Sequence, residues 1–367
     1  MSATEFTGWG AFDKNCVKDG SFKKFTYKPK GWDETDVDIK ILYCGVCASD
    51  LHTASGGWNP NQDYPQVVGH EIVGIAVKVG SEVTHIKEGD LVGVGAQNDS
   101  CLECGQCKNN RESYCDKGQV GTYDGKYYRE GNGKGDKSYG GYADMHRAPS
   151  HFVVKIPDGL DPAIAAPMLC GGVTVYSPLV QYGAGTTAKD VGIIGIGGLG
   201  HFGLIFAKAL GANVTAISHS ESKKADAEKM GATNFIATHG DDNKWATENR
   251  RTLDLIIATT NDAKMPLLDY ATLLKPGGHL VFVGAPEEPL PQFPTFPLIM
   301  SNIHLTGSAI GSPKIIKEML ELAAKQDIKG WIIKRPLDDV NQVVQDMHAS
   351  KARYRYVLVN EKNGGKL

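Results

Sequence analysis

Asp190-Val-Gly-Ile-Ile-Gly195-Ile-Gly-Gly-Leu-Gly200-His-Phe-Gly-Leu-Ile-Phe-Ala-Lys-Ala-Leu210 decides the fold of one half of the chain. An apolar run over 190–195 reads as a buried strand, and 201–210 as a helix that starts directly after a Gly-x-Gly-x-x-Gly turn. The three glycines act differently. Gly195 permits the tight turn, Gly197 lets the backbone approach a pyrophosphate, and Gly200 lets helix and strand pack closely. The intervening Gly198 and Leu199 lie at the helix N-terminus, where free N–H groups and the positive dipole end favour phosphates. The hexapeptide alone also fits a plain glycine-rich turn. Its place between an apolar strand and an apolar helix favours the dinucleotide reading.

Moving outward, Asn213–Ser218 predicts a second strand, and Asp254–Ala258 and His279–Gly284 predict two more, with helical stretches between. Strand and helix in alternation specify a parallel sheet with right-handed crossovers, the Rossmann doubly wound α/β class. The end of the second strand selects the cofactor. NAD-binding units usually carry an acidic residue about 20 residues past the turn, accepting from the ribose 2′-OH. Here the stretch is Ser218-His219-Ser220-Glu221-Ser222-Lys223-Lys224. With no carboxylate at the strand end, Ser218, His219, Ser220 and Lys223 suit a 2′-phosphate, which favours NADP(H). Glu221 is the competing residue if the strand ends slightly later, and the two lysines equally fit a solvated helix face.

Upstream, the texture differs. Val37–Leu42, Ile72–Val79 and Leu91–Val94 are short β-branched runs punctuated by Gly and Pro, which predicts a mostly antiparallel β domain. Ala163–Leu169 and Val173–Leu179 read as helices. Past residue 308 a helix over Pro313–Gln326 precedes a strand near Tyr354–Val359 that can rejoin the first domain. The domain plan is therefore 1–158, a nucleotide-binding 159–308, and 309–367 returning to the first part. Tyr123–Gly141 is polar, glycine-rich and aperiodic, and reads as an exposed loop.

The 367 residues exceed one ordinary core, and 41% hydrophobic with 22% charged residues is a soluble globular balance. A net charge of -3 and only short lysine pairs argue against nucleic acid. No apolar stretch is read as approaching the ~20 residues of a membrane span, and the first residues lack a secretory pattern. A cytoplasmic location is expected.

Cysteine usage is the second strong signal. Cys101, Cys104, Cys107 and Cys115 follow Cys-x2-Cys-x2-Cys-x7-Cys. Thiolates at such intervals converge on one tetrahedral zinc at about 2.3 Å, and four of them leave no open position, so this zinc would be structural. An iron–sulfur cluster and a redox disulfide pair are the alternatives. A dispersed set, Cys47, His70 and Cys170 with Glu71 adjacent, has the Cys2His composition of a catalytic zinc with an exchangeable position. Its spacing is a weak signal, since Cys44 competes with Cys47, and Cys16 and Cys44 also read as small buried residues.

Three motifs carry a resemblance. Gly69-His70-Glu71-x2-Gly74-x5-Gly80-x2-Val83, Cys44-Gly-Val-Cys47-Ala-Ser49-Asp50-Leu-His52 and Leu169-Cys170-Gly-Gly-Val-Thr174-Val-Tyr-Ser-Pro178 resemble the zinc-containing alcohol dehydrogenases of the medium-chain dehydrogenase/reductase superfamily. The third, with Val94-Gly-Ala-Gln97 and Ser100-Cys101, resembles the cinnamyl alcohol dehydrogenase branch and its fungal NADP-dependent members. The resemblance implies a GroES-like first domain, two zinc ions per chain and a homodimer. It implies Cys47, His70 and Cys170 as catalytic zinc ligands with Glu71 as an exchanging fourth, and Asp50 as the acceptor that orients His70. It further implies that Ser49 meets the substrate oxygen, that His52 ends a proton relay through the cofactor ribose, that Thr174 touches the nicotinamide and that Arg355 pairs with the cofactor phosphates. Fungal relatives tend to carry Arg where this chain has His219, a weaker and pH-dependent charge.

The function expected is hydride transfer between NADP(H) and aldehydes or alcohols. Trp58, as a pocket wall or as a packed loop aromatic, fits medium-chain, branched or aromatic (cinnamyl-type) substrates. A reductase of activated C=C or C=N bonds and a non-catalytic NADPH-binding protein are the rival readings. Both typically lose the zinc ligands or relay histidine that this chain retains.

Overall fold

The computed structural model describes residues 4–239, 243–286 and 288–367. The chain forms two units, one of residues 1–173 and 311–367, the other of residues 174–310.

In the second unit six parallel strands run in the order Asn234–Ala237, Asn213–Ser218, Asp190–Ile194, Leu253–Ala258, Leu274–Phe282, His304–Gly307. Numbered along the chain this is 3-2-1-4-5-6, the Rossmann order. Strand Asp190–Ile194 sits centrally and is buried along Val191–Ile194, as a strand covered on both faces must be. The helix Gly200–Ala209 packs back on it and on Asn213–Ser218. Gly195 adopts φ +84°, and a Cβ at Gly200 would lie 1.7 Å from the Gly195 carbonyl, so the turn closes only with glycine at both positions.

The first unit is built on a seven-stranded sheet, mostly antiparallel, with Asp36–Gly45 paired to Ile72–Val79, Met145–Pro149 and Arg355–Val359. The C-terminal strand does rejoin the first domain: Val357, Leu358 and Val359 sit opposite Gly45, Cys44 and Tyr43. Its core joins Val37, Ile39, Ile41, Ile72 and Ala76 to Val92 and Leu358. The boundary falls at 173/174 and not at 158/159, because the helix Pro162–Pro167 packs on Asp36–Gly45, Ile72–Val79 and Arg355–Val359.

Two other expectations change. The continuous helical stretch Pro162–Gln181 is 20 residues long and apolar enough to cross a membrane by length and composition, but 83% of its most apolar window is buried in the protein. Its apolarity is that of a core helix. The stretch 123–141 is irregular, as expected, yet not an exposed loop. Tyr123 and Tyr127 are buried, Tyr127 meets Asn98, and Arg129 donates to Asp99 at 2.9 Å. Buried tyrosines, invisible to a periodicity test, pin it down.

Candidate active site

Four dispersed side chains meet in the first unit. Cys47 precedes the helix Ala48–Ala54, where the carboxylate of Asp50 accepts from the Cys47 N–H at 2.8 Å. His70 and Glu71 come directly before the strand Ile72–Val79, and Cys170 lies in a π-helical turn, Met168–Gly172. Such turns recur at functional sites because the extra residue turns side chains off the regular helix face. One ligand atom from each of Cys47, His70, Glu71 and Cys170 lies within 4.8 Å of the other three, and all four residues are buried. A Cβ at Gly45 would come within 1.9 Å of Glu71 Oε2, so that glycine makes the room this carboxylate occupies.

Two observations test whether a cation fits. His70 Nε2 and Glu71 Oε2 are buried without hydrogen-bond partners among the described residues. Leaving two such groups unsatisfied costs about 1–3 kcal/mol each, more where charge is involved. A cation among them satisfies both, and two sulfurs, an imidazole and a carboxylate form a donor set suited to zinc. The proton distribution agrees. A hydrogen bond from Cys170 is the largest influence holding the Cys47 thiol well below its ordinary range; burial opposes it, and His70 and Arg355 assist. The same bond, with burial, pushes Cys170 well up. Burial alone would lower His70, but Asp50 and Cys47 together raise it to about 9. Burial raises Glu71 to about 8 against the pull of Arg355.

The surrounding shell is dense. Asp50 also accepts from Tyr142 Oη at 3.0 Å and from the Gly69 N–H at 3.1 Å, and its Oδ1 lies 3.8 Å from His70 Nδ1. Asp50 thus stands on the His70 face expected of an orienting carboxylate, at ion-pair distance. Ser49 Oγ lies 3.7 Å from Cys47 Sγ. His52 stacks on Trp58 with centroids 4.9 Å apart and planes 14° from parallel, and Trp58 is 47% exposed. Arg355 closes the shell. Only 2% exposed, its guanidinium donates to Glu71 Oε1 and faces Gly171, which adds a buried partner to the phosphate role that the resemblance implies.

Cys101, Cys104, Cys107 and Cys115 form the other cluster, again with one sulfur each within 4.8 Å. Cys104 Sγ is 3.6 Å and Cys101 Sγ 3.9 Å from Cys107 Sγ. Backbone N–H groups point at the sulfurs, Cys101 N to Cys115 Sγ and Cys104 N to Cys101 Sγ, both at 3.4 Å. Burial pushes Cys115 up, but the Cys101 N–H and the Tyr128 hydroxyl outweigh it and bring the thiol to about 6. Four sulfurs held by amides, with no oxygen or nitrogen donor, fit a closed tetrahedral shell.

In the second unit a cavity of about 550 Å³ is lined by Gly195, Gly197, Gly198, Leu199, Ser218, His219 and Lys223, among others. Nothing lies within 4 Å of a Cβ placed on Gly197, so the backbone there is open to a ligand. Lys223 Nζ donates to the Ile196 carbonyl at 2.7 Å, which holds its charge at the glycine turn. Ser220 does not line this cavity; its hydroxyl bonds Ser222 Oγ at 2.9 Å. Thr174 is buried on the helix Val173–Gln181, and Gly200 closes the turn from within.

Sequence reasoning missed Tyr123 and Tyr142 at the first cluster. Tyr123 stacks on His70 with centroids 5.2 Å apart and planes 8° from parallel. The available signal was an aromatic residue inside Gly121-Thr-Tyr-Asp-Gly125, a stretch otherwise suited to a turn.

A buried sulfur–imidazole–carboxylate centre in a GroES-like unit, with a glycine-turn nucleotide cavity in a Rossmann unit, defines a zinc-dependent nicotinamide dehydrogenase. Residues 33–158 match the Alcohol dehydrogenase GroES-like domain family and residues 198–325 the Zinc-binding dehydrogenase family, and the chain belongs to these zinc-binding alcohol dehydrogenases. It is 42% identical over 343 residues to NADP-dependent alcohol dehydrogenase 6 of Saccharomyces cerevisiae, covering 92% of each chain. The solved cinnamyl alcohol dehydrogenase of Sorghum bicolor superposes with a TM-score of 0.89 at 36% identity, covering 99% of each chain. The Helicobacter pylori cinnamyl alcohol dehydrogenase complexed with NADP(H) superposes at 0.87 with 34% identity, covering 98% of this chain and 99% of the other. The protein is a zinc-dependent alcohol dehydrogenase and aldehyde reductase that uses NADP(H).

Proposed function

We propose that this enzyme reduces medium-chain, branched or aromatic (cinnamyl-type) aldehydes and oxidises the corresponding alcohols, with two zinc ions per chain. The observation that carries the reading is the cluster of Cys47, His70, Glu71 and Cys170 with two buried, unpartnered donor atoms. Cys47, His70 and Cys170 would hold the catalytic ion, and Glu71, whose carboxylate already accepts from Arg355, would be the exchangeable fourth ligand. When bound, zinc supplies Lewis-acid polarisation of the carbonyl and the nicotinamide supplies or accepts the hydride.

The chain's own residues orient and move protons. Asp50 faces the Nδ1 edge of His70 and orients it. Ser49, beside Cys47, donates its hydroxyl proton to the substrate oxygen as reduction proceeds, and His52 is the proton reservoir that restores it. Trp58 stacks on His52 and exposes its other face as an apolar wall for the substrate chain. Ser218, His219 and Lys223 receive the 2′-phosphate, the glycine turn receives the pyrophosphate, and Thr174 meets the nicotinamide.

The enzyme is proposed to be a cytoplasmic homodimer. Strand His304–Gly307 ends the parallel sheet with one edge unpaired among the described strands, and the adjacent helix Thr295–Ser301 exposes Phe296, Ile299 and Met300 at 68%, 72% and 65%. An open edge beside an apolar patch is what a twofold partner covers.

A metal assay alongside NADPH oxidation by cinnamaldehyde and a branched aldehyde tests this reading. Two zinc per chain with turnover is expected; one zinc, or turnover surviving in Cys170→Ala, overturns it. His52→Gln should slow turnover by about 10²–10⁴-fold and flatten the pH–rate profile, and an unchanged profile removes His52 from the relay. NADH matching NADPH in kcat/KM would overturn the assignment of Ser218, His219 and Lys223.

A further inference from the structure

We propose that Tyr123 is a positioning residue of the catalytic metal centre, its ring holding the His70 imidazole in the plane that presents Nε2 to the ion. This deepens the reading of Cys47, His70, Glu71 and Cys170 and rests on it.

Three observations converge. The Tyr123 and His70 rings are near-parallel, 8° apart with centroids 5.2 Å from each other, so the aromatic face bars the imidazole from tilting that way. The opposing constraint on His70 comes from its own ring edge, where Asp50 Oδ1 stands 3.8 Å from Nδ1. A carboxylate at the edge and a ring on the face restrict two different rotations, whereas the carboxylate alone leaves the ring free to swing about its hydrogen-bonding direction. Finally, Tyr123 is 8% exposed, so burial holds its ring in place beside the imidazole.

The neighbouring residue extends the brace. Asp124, at φ +58°, accepts from Gln62 Nε2 at 2.6 Å and from Gln66 Nε2 at 2.7 Å. The short stretch that carries Tyr123 is thereby tied to the segment that follows Trp58. It is anchored, and a ring mounted on it has a fixed position from which to constrain His70.

The test uses the complete zinc-loaded enzyme and reads the metal directly. Zinc release to a colorimetric chelator is followed in the unaltered protein, Tyr123→Phe and Tyr123→Leu, and the cobalt-substituted proteins are compared by absorption spectroscopy. In the unaltered enzyme two phases are expected, one per cluster. Leu should accelerate the phase of the Cys47–His70–Cys170 centre by about 10-fold, the lower end for loss of an orienting neighbour, and shift its ligand-field bands. The four-thiolate phase should not move. Phe, which keeps the face, should release zinc at close to the unaltered rate. Unaltered release and bands in the Leu protein overturn the proposal, as does a Phe protein as impaired as Leu. If Tyr123→Leu is not recovered folded, Tyr123→Trp decides: retained zinc and bands sustain the ring's role, and loss overturns it. Absence of a second releasable zinc in the unaltered enzyme would instead defeat the reading of the centre itself.

Discussion

The two cysteine clusters of the first unit solve opposite problems with the same element in mind. Cys101, Cys104, Cys107 and Cys115 come from one short stretch, their sulfurs faced by backbone amides, and Cys104 reaches the surface. Cys47, His70, Glu71 and Cys170 come from three distant segments, all buried, with a carboxylate shared with Arg355 and an imidazole held by Asp50 and Tyr123. The first set is chemically complete and has no place for a substrate. The second includes a carboxylate that also accepts from a buried guanidinium, which is the basis for proposing an exchangeable position there. Local chain geometry builds a brace; long-range folding builds a site with an exchangeable position.

The largest effect that would break this contrast is on turnover. Cys47→Ala or Cys170→Ala should lower kcat/KM by more than about 10³-fold, the scale of several kcal/mol of Lewis-acid stabilisation, while zinc falls by one per chain and NADPH fluorescence titration remains normal. Substantial activity in either variant would erase the distinction. The complementary change, Cys104→Ala, should act on stability. Loss of a structural zinc removes folding free energy, and a deficit of about 4 kcal/mol corresponds to a Tm lower by roughly 5 °C in a protein of this size. Calorimetry showing an unmoved transition would deny the four-thiolate cluster its bracing role.

The same contrast explains what is legible in one dimension. The Gly195–Gly200 turn and the 101–115 cysteines are local patterns, and local patterns survive in the bare sequence. Strands such as Ile72–Val79 and Asn213–Ser218 are legible to the residue because apolar alternation and Gly punctuation are local too. The reacting centre is not. Cys47, His70 and Cys170 meet only after the sheet forms, so their spacing is uninformative and a family resemblance has to point to them. Tyr123 escapes for a related reason: its stretch is irregular and glycine-rich, and only tertiary packing, against the core and His70, buries it. The pairing of Arg355 with Glu71 is hidden for the same reason, since the two lie 284 residues apart in the chain.

A pH titration sharpens the comparison at intermediate scale. In the metal-free catalytic centre Glu71 and His70 are raised to about 8 and 9, and Cys170 is raised well beyond its ordinary range. A raised acid is protonated below its pKa, so zinc must displace that proton to bind, and affinity climbs as pH rises toward 9. In the other cluster burial pushes Cys107 up to about 12, but Cys115 stands near 6 and Cys104 is lowered by backbone N–H groups, which leaves fewer protons to displace. Zinc affinity between pH 6 and 8 should therefore rise more steeply at the catalytic centre, by up to about 10-fold per additional proton per pH unit. Equal slopes in a competition titration with a chelator would contradict the assigned proton states.

The smallest expected effect comes from the loop that serves both clusters. Tyr123 lies against His70, and five residues on, Tyr128 places its hydroxyl 3.6 Å from Cys115 Sγ while donating to the Gly118 carbonyl at 2.7 Å. The carbonyl is the shorter contact, so the hydroxyl's hold on the sulfur is secondary. Tyr128→Phe removes both at the rim of a cluster already faced by two backbone N–H groups. A partly exposed hydrogen bond contributes about 1 kcal/mol, which corresponds to roughly a five-fold faster release of the slow zinc. The fast zinc should leave at its usual rate, because the hydroxyl's two partners, Cys115 and Gly118, both belong to the four-thiolate lobe. Acceleration of both phases would mean that the two clusters are coupled through residues 123–128, and the division between brace and reacting centre would have to be redrawn as one connected metal-binding element.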